Sequence, residues 1–317
     1  MLSQQRTDKE VMTHQASKSR RLARRVLWAL LALILVAVGI ILGISGYAAS
    51  SLTQFERVPI GSNPSDFGLE YVDVSFPSRD GLMLCGWWLE GGDDNPIIVV
   101  VHGSGGNRAH PAERMLGIAR DLVSYGYNVL MFDMRGHGES EGKHISAGYY
   151  ERNDLLGAID YIRQRGIESK IGVLGFSMGA ATSLMAAAES EEIDAVVADC
   201  AYADIISIIE SEFANRSNLP KFFIPIILFI TRNIYEIDFT AIKPEEAVKE
   251  ISVPIFIIHG GQDEMIPVQH AYRLKEASQN LDSKLWIVPE AQHANSYLIR
   301  PAEYKEQVIS FFGEALD

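Results

Sequence analysis

The sequence predicts an α/β fold built on a mostly parallel sheet, carried behind one N-terminal membrane helix. Three observations predict it. Short continuous Val/Ile/Leu runs alternate with helical stretches along most of the 317 residues, and such runs mark strands buried on both faces. Glycine, serine, aspartate and histidine crowd at the ends of those runs, where open α/β sheets bind ligands. Finally, "VLWALLALILVAVGIILGISGY" at 26–47 is 22 residues without a charge, enough for a helix to cross a hydrocarbon layer of roughly 30 Å.

Residues 1–25 form a basic tail with seven Lys/Arg against two Asp/Glu, a charge of +5, which leaves −18 on the rest of a chain whose total is −13. Lys18, Arg20, Arg21, Arg24 and Arg25 precede the apolar segment and Arg57 is the one basic residue in the twenty after it. Positive flanks stay in the cytoplasm, so the expected placement is a single-pass cell-membrane protein with an inside N-terminus and an extracytoplasmic body. "GYAAS" offers a peptidase small residues, but signal-peptide apolar regions usually run about 7–15 residues, so an uncleaved anchor is favoured over a cleaved signal or a buried core helix. The acidic body repels nucleic acid, which is not an expected partner. Cys85 and Cys200 lie in apolar runs without metal-ligand spacing; free thiols are favoured, with one bridge as the alternative.

Residues 48–67 are polar and turn-rich, a linker between membrane and domain. The catalytic domain then occupies 68–317. Alternation at 69–76 and 82–90 around "SRDG" predicts a hairpin. Continuous runs follow at 97–101, 127–132, 171–176, 193–198, 253–258 and 284–288, giving eight strands. Helix patterns lie between them near 111–125, 149–165, 178–190, 267–279 and 301–315, so right-handed crossovers flank the sheet. The segment 200–252 is far longer than the other crossovers and contains "FFIPIILFI" at 222–230. Connections of that length commonly serve as active-site lids, and a helical lid insert is expected, with Pro244 and Glu245 starting the helix that leads back to the sheet.

The strand ends read "HGSGGNR", "DMRGHGES", "SMG", "DCAY", "HGGQDEM" and "PEAQHANS". "GFSMG" at 175–179 sits between a strand and a helix. With this G-x-S-x-G in that context, the region from about residue 69 onward resembles the α/β-hydrolase superfamily, whose nucleophile stands on such a turn and whose triad order is Ser, then Asp or Glu, then His. "DMRGHGES" and "SRDGLMLCGWW" are similar to stretches of lysophospholipase-like, monoacylglycerol-lipase-like and serine-aminopeptidase-like members. The resemblance implies Ser177 as nucleophile, Asp263 in "HGGQDEMIP" as acid and His293 in "PEAQHAN" as base. Asp199 is the rival acid, where some lipases place theirs. It also implies an oxyanion hole made by the backbone N–H groups of Met178 and Ser104, with Gly103 or Gly105 as alternatives to Ser104. Gly175 and Gly179 are expected because larger residues there would collide with the neighbouring strand and helix. Asp133 and Arg135 are expected to pin their loop, and His102, His137 and His259 to hold loops by hydrogen bonds. No H-E-x-x-H or other metal spacing occurs.

The expected activity is hydrolysis of carboxylic esters or thioesters, on lipid-like acyl or other small-molecule substrates, through an acyl-enzyme and without a cofactor. A serine-aminopeptidase-like peptidase is the alternative. A non-catalytic binding protein of the same fold is a third reading, disfavoured because all three triad residue types are present.

Overall fold

The eight strands form a single sheet in the computed structural model of the protein, which describes residues 2–216 and 219–317. Met1 of the basic tail and residues 217 and 218 of the insert lie outside the described residues. The strands are β1 (Val72–Pro77), β2 (Met83–Leu89), β3 (Ile97–Val101), β4 (Asn128–Phe132), β5 (Ile171–Phe176), β6 (Ala195–Asp199), β7 (Ile255–Gly260) and β8 (Lys284–Val288). Their order is β1-β2-β4-β3-β5-β6-β7-β8. β1 pairs antiparallel with β2 and β2 antiparallel with β4, and every other pairing is parallel.

Side chains of a strand point alternately to opposite faces, which is why runs such as "IIVVV" must be apolar throughout. Ile97, Val99 and Val101 face one core layer and Ile98 and Val100 the other. The first layer lies under α3 (Glu151–Gln164), α4 (Met178–Ala187) and α8 (Gln269–Ala277), with Leu155, Leu184 and Leu274 buried in it. The second lies under α2 (Met115–Ser124) and α10 (Pro301–Leu316), with Met115, Phe311 and Phe312 buried. The short α9 (Ser296–Ile299) leads into α10. Parallel register sets Val101 beside Gly175 and Phe176 beside Asp199, so the carboxyl ends of β3, β5 and β6 share one edge.

The segment after β6 folds as α5 (Ile205–Arg216), α6 (Phe223–Ile234) and the short α7 (Pro244–Val248). Pro244 at the start of α7 lacks the N–H that a first-turn residue would leave unpaired.

The N-terminal helix α1 runs unbroken over Leu2–Thr53. Its Arg20–Thr53 stretch is long and apolar enough to cross a membrane, with a mean hydropathy of 2.9 in its most apolar window. The helix differs from expectation at its far end. Residues 48–53, expected in the linker, continue the helix because Ala48, Ala49 and Leu52 pack against Phe223, Ile227 and Ile230 of α6. Beyond Thr53 the chain runs against the loop that follows β4: Ile145 N–H donates to the Thr53 carbonyl (2.9 Å), and the Arg57 guanidinium donates to the carbonyls of His137, Gly138, Ser140 and Gly142.

Candidate active site

β5 ends at Phe176, and Ser177 follows with φ 51° and ψ −115° before α4 begins at Met178. Positive φ is costly for a residue bearing Cβ, and here surrounding contacts hold it. The Ser177 N–H donates to the Asp199 carbonyl (2.8 Å). A Cβ on Gly175 would come within 2.5 Å of the Gly179 carbonyl oxygen, and one on Gly179 would press into the carbonyl oxygens of Val101 and His102. Glycine at both positions is therefore a packing requirement of the turn.

Two loops deliver side chains to this serine. Asp263 lies after β7 and His293 after β8. His293 Nε2 is 2.8 Å from Ser177 Oγ, and its Nδ1 is 2.7 Å from Asp263 Oδ2. The other Asp263 oxygen accepts the N–H groups of Met265 (2.9 Å) and Ile266 (2.8 Å). The Asp263 side chain is buried, which disfavours its charge; the His293 hydrogen bond and charge, the Ile266 N–H and His259 outweigh this and hold its carboxyl below the usual range. An imidazole between a carboxylate and a hydroxyl can take the hydroxyl proton at Nε2 while Nδ1–H stays on the carboxylate.

Asp199 stands apart from that line. Its carboxylate is fully buried and makes no hydrogen bond among the described residues. Burial pushes its carboxyl up to about 7. Of the two acids weighed from sequence, Asp263 is the one hydrogen-bonded to His293.

The loop after β3 offers three backbone N–H groups near Ser177, and two are taken. Gly103 N–H donates to both Glu113 carboxylate oxygens (3.0 and 3.2 Å), and Gly105 N–H donates to His137 Nε2 (3.2 Å). The N–H groups of Ser104 and Met178 donate to no protein acceptor among the described residues. Glu113 was not legible from sequence. It is a buried carboxylate whose only linear signal was an acidic residue in the approach to α2.

The histidines and charges around the loop hold it in place. His102 Nδ1 meets the Gly103 carbonyl (2.7 Å) while its Nε2 accepts the Met134 N–H (3.0 Å). His137 Nδ1 meets the Arg135 carbonyl (2.8 Å), and His259 Nε2 the Ile266 carbonyl (2.8 Å). Burial pushes all three imidazoles down, towards neutrality. Buried Asp133 accepts the N–H groups of Arg108 and Glu139 and pairs with the Arg108 guanidinium, while Arg135 pairs with Asp80 and Asp154.

Cys85 and Cys200 are free thiols. Ligand atoms of Cys200, Asp263 and His293 lie within 4.8 Å of one another. Burial pushes the Cys200 thiol far up, so it stays protonated, and its sulfur already accepts the Ala294 N–H (3.2 Å); it is a poor cation ligand. Beside His293 opens a cleft of about 420 Å³, lined by Glu212, Gln262, Glu264, Met265, Gln292 and Asn295.

Sheet order, elbow and loop placement define the α/β-hydrolase fold. A family described as "alpha/beta hydrolase fold" matches residues 96–223. The uncharacterized protein YqkD of Bacillus subtilis is 29% identical over 78% of this chain and 81% of its own length. A lysophosphatidylserine lipase of Xenopus tropicalis is 26% identical over 69% of this chain and 58% of its own. Among solved structures, a Pyrococcus furiosus esterase superposes with a TM-score of 0.71 at 28% identity, covering 84% of this chain and 99% of that one. Fold and esterase neighbours together make the chain a hydrolase with a small-molecule substrate.

Proposed function

We propose that the protein is a membrane-anchored serine hydrolase that cleaves carboxylic esters or thioesters through an acyl-enzyme. The observation that carries this is the hydrogen-bonded line Ser177–His293–Asp263, at 2.8 and 2.7 Å, on the elbow of a hydrolase fold. His293 Nε2 takes the Ser177 proton as Oγ attacks the substrate carbonyl carbon. The resulting oxyanion accepts the Ser104 and Met178 N–H groups, a contribution worth about 10²–10³ in rate per donor. His293⁺ gives its proton to the leaving alcohol or thiol as the tetrahedral intermediate collapses. Water, deprotonated by the same imidazole, then releases the acid.

A lipid-like acyl substrate is the favoured class. The names of the lysophosphatidylserine lipase and the esterase among the similar proteins support it. So does the path of the chain after α1, since Thr53, Phe55 and Arg57 lie against the loops at the active edge. The polar cleft beside His293 suits the hydrophilic part of such an ester. The basic residues before α1 and their scarcity after it support a cytoplasmic N-terminus and an outer catalytic domain. The test is Ser177→Ala: the variant should lose hydrolysis of p-nitrophenyl esters and labelling by a fluorophosphonate probe. Labelling equal to wild type refutes the assignment.

A further inference from the structure

The insert helix α6 shares a core with α1, and its outer face is exposed at Phe222, Pro225 and Phe229. From Val26 to Tyr47 the apolar segment of α1 is 22 residues, about 33 Å at 1.5 Å per residue. α6 does not wait until that segment ends. The cluster it forms with α1 takes in Ile41 and Ile44 as well as Ala48, Ala49 and Leu52. Ile41 is about 22 Å along the segment from Val26, short of a hydrocarbon layer of roughly 30 Å. A bilayer that covers the apolar length of α1 therefore reaches the level of α6.

The composition of α6 fits that level. Phe222, Pro225, Ile226 and Phe229 follow at i, i+3, i+4 and i+7, one stripe on a helix. Phe222 and Phe229 are 51% and 67% exposed, and Ile234 is 70% exposed. The opposite side, Phe223, Ile227 and Ile230, is the buried side shared with α1. No acidic residue occurs from Lys221 to Tyr235, and Lys221 and Arg232 stand near the two ends. An apolar stripe with cationic flanks is what an interfacial helix presents to acyl chains and phosphates.

We propose that α6 lies in the outer leaflet beside α1, its Phe222–Phe229 stripe among the lipids, so that the protein stands on the membrane at two helices. This rests on α1 being the membrane span. It deepens the functional reading, because α6 belongs to the insert over the catalytic edge and would turn that edge towards acyl substrates held in the bilayer. Burying two phenylalanine faces also fixes the orientation of the domain, which a single helix leaves free to rotate.

The full chain is placed in phosphatidylcholine vesicles doped with a phosphatidylcholine that carries a diazirine on its acyl chain, irradiated, and digested for mass spectrometry. The expected result is adducts both within 26–40 and within 222–229. Adducts confined to 26–40 overturn the α6 proposal and leave the span intact; their absence from both segments overturns the two together. Crosslinks from 222–229 to a second copy of the chain, in place of lipid, also overturn it. In parallel, the Phe222→Asp/Phe229→Asp double variant should hydrolyse a long-chain monoacyl ester in those vesicles at least tenfold more slowly, with its rate on soluble p-nitrophenyl butyrate unchanged. Equal rates on the vesicle substrate refute the proposal. Loss of both activities in Ser177→Ala alone marks the catalytic reading as separate from this one.

Discussion

Replacing Asp263 by asparagine keeps the size of the side chain and changes which atom faces His293. Oδ1 accepts two backbone N–H groups, from Met265 and Ile266, at 2.9 and 2.8 Å. An asparagine keeps its oxygen there, since turning the amide would set its NH₂ against two donors at a buried position. The NH₂ then points at His293 Nδ1, which must accept, and the imidazole proton moves to Nε2, facing Ser177. That tautomer cannot take the serine proton. The expected loss in kcat is about 10⁴, a barrier increase of about 5 kcal/mol. Asp199→Asn is the matched control: its carboxylate is fully buried, off the His293 line and pushed up to about 7, so kcat should stay within about tenfold of wild type. Steady-state hydrolysis of a p-nitrophenyl ester reads both, with thermal unfolding as a check on folding. The reasoning is refuted if the Asp263→Asn enzyme keeps a tenth of wild-type kcat, or if the Asp199→Asn enzyme falls as far as the Asp263→Asn enzyme is expected to.

Three further outcomes follow from the same geometry. Glu113→Ala strands the Gly103 N–H in a buried loop, which costs about 1–3 kcal/mol of stability. Because a small displacement of a positioning loop can cost about 10² in rate, kcat should fall with KM little changed; an unaltered kcat rejects the role. Gly179→Ala forces a Cβ into two carbonyl oxygens of the β3 end and should lower the unfolding free energy by about 1–3 kcal/mol through overpacking, read as a lower urea midpoint by circular dichroism. The Asp263 carboxyl is held below its ordinary value in the folded state, so it contributes stability above its unfolded pKa of about 3.9 and loses it as pH falls through the folded value. The melting-temperature gap between wild type and Asp263→Asn should close as pH falls below about 5. A gap that persists unchanged at pH 2 contradicts the shift.

Local chemistry made the scaffold readable. Runs buried on both faces must be apolar at every position, so β3 and β5 were bounded to the residue, and a serine on a strained turn needs the small neighbours found at 175 and 179. Pro244 likewise announced α7. Contacts between residues far apart in the chain were not readable. A carboxylate in a loop carries no linear mark of the N–H it will accept, which is why Glu113 went unseen. Which of Gly103, Ser104 and Gly105 keeps a free N–H depends on Glu113 and His137 arriving from other loops. The polar look of residues 48–53 hid a helix end that only α6 stabilises. By itself the sequence determined the sheet, the insert, the long apolar N-terminal segment and the order of Ser177, Asp263 and His293, because periodicity and turn chemistry are local. Tertiary structure alone decided that His293 bonds to Asp263 and not Asp199, and that α1 and the insert share a core, because both depend on distances set by packing.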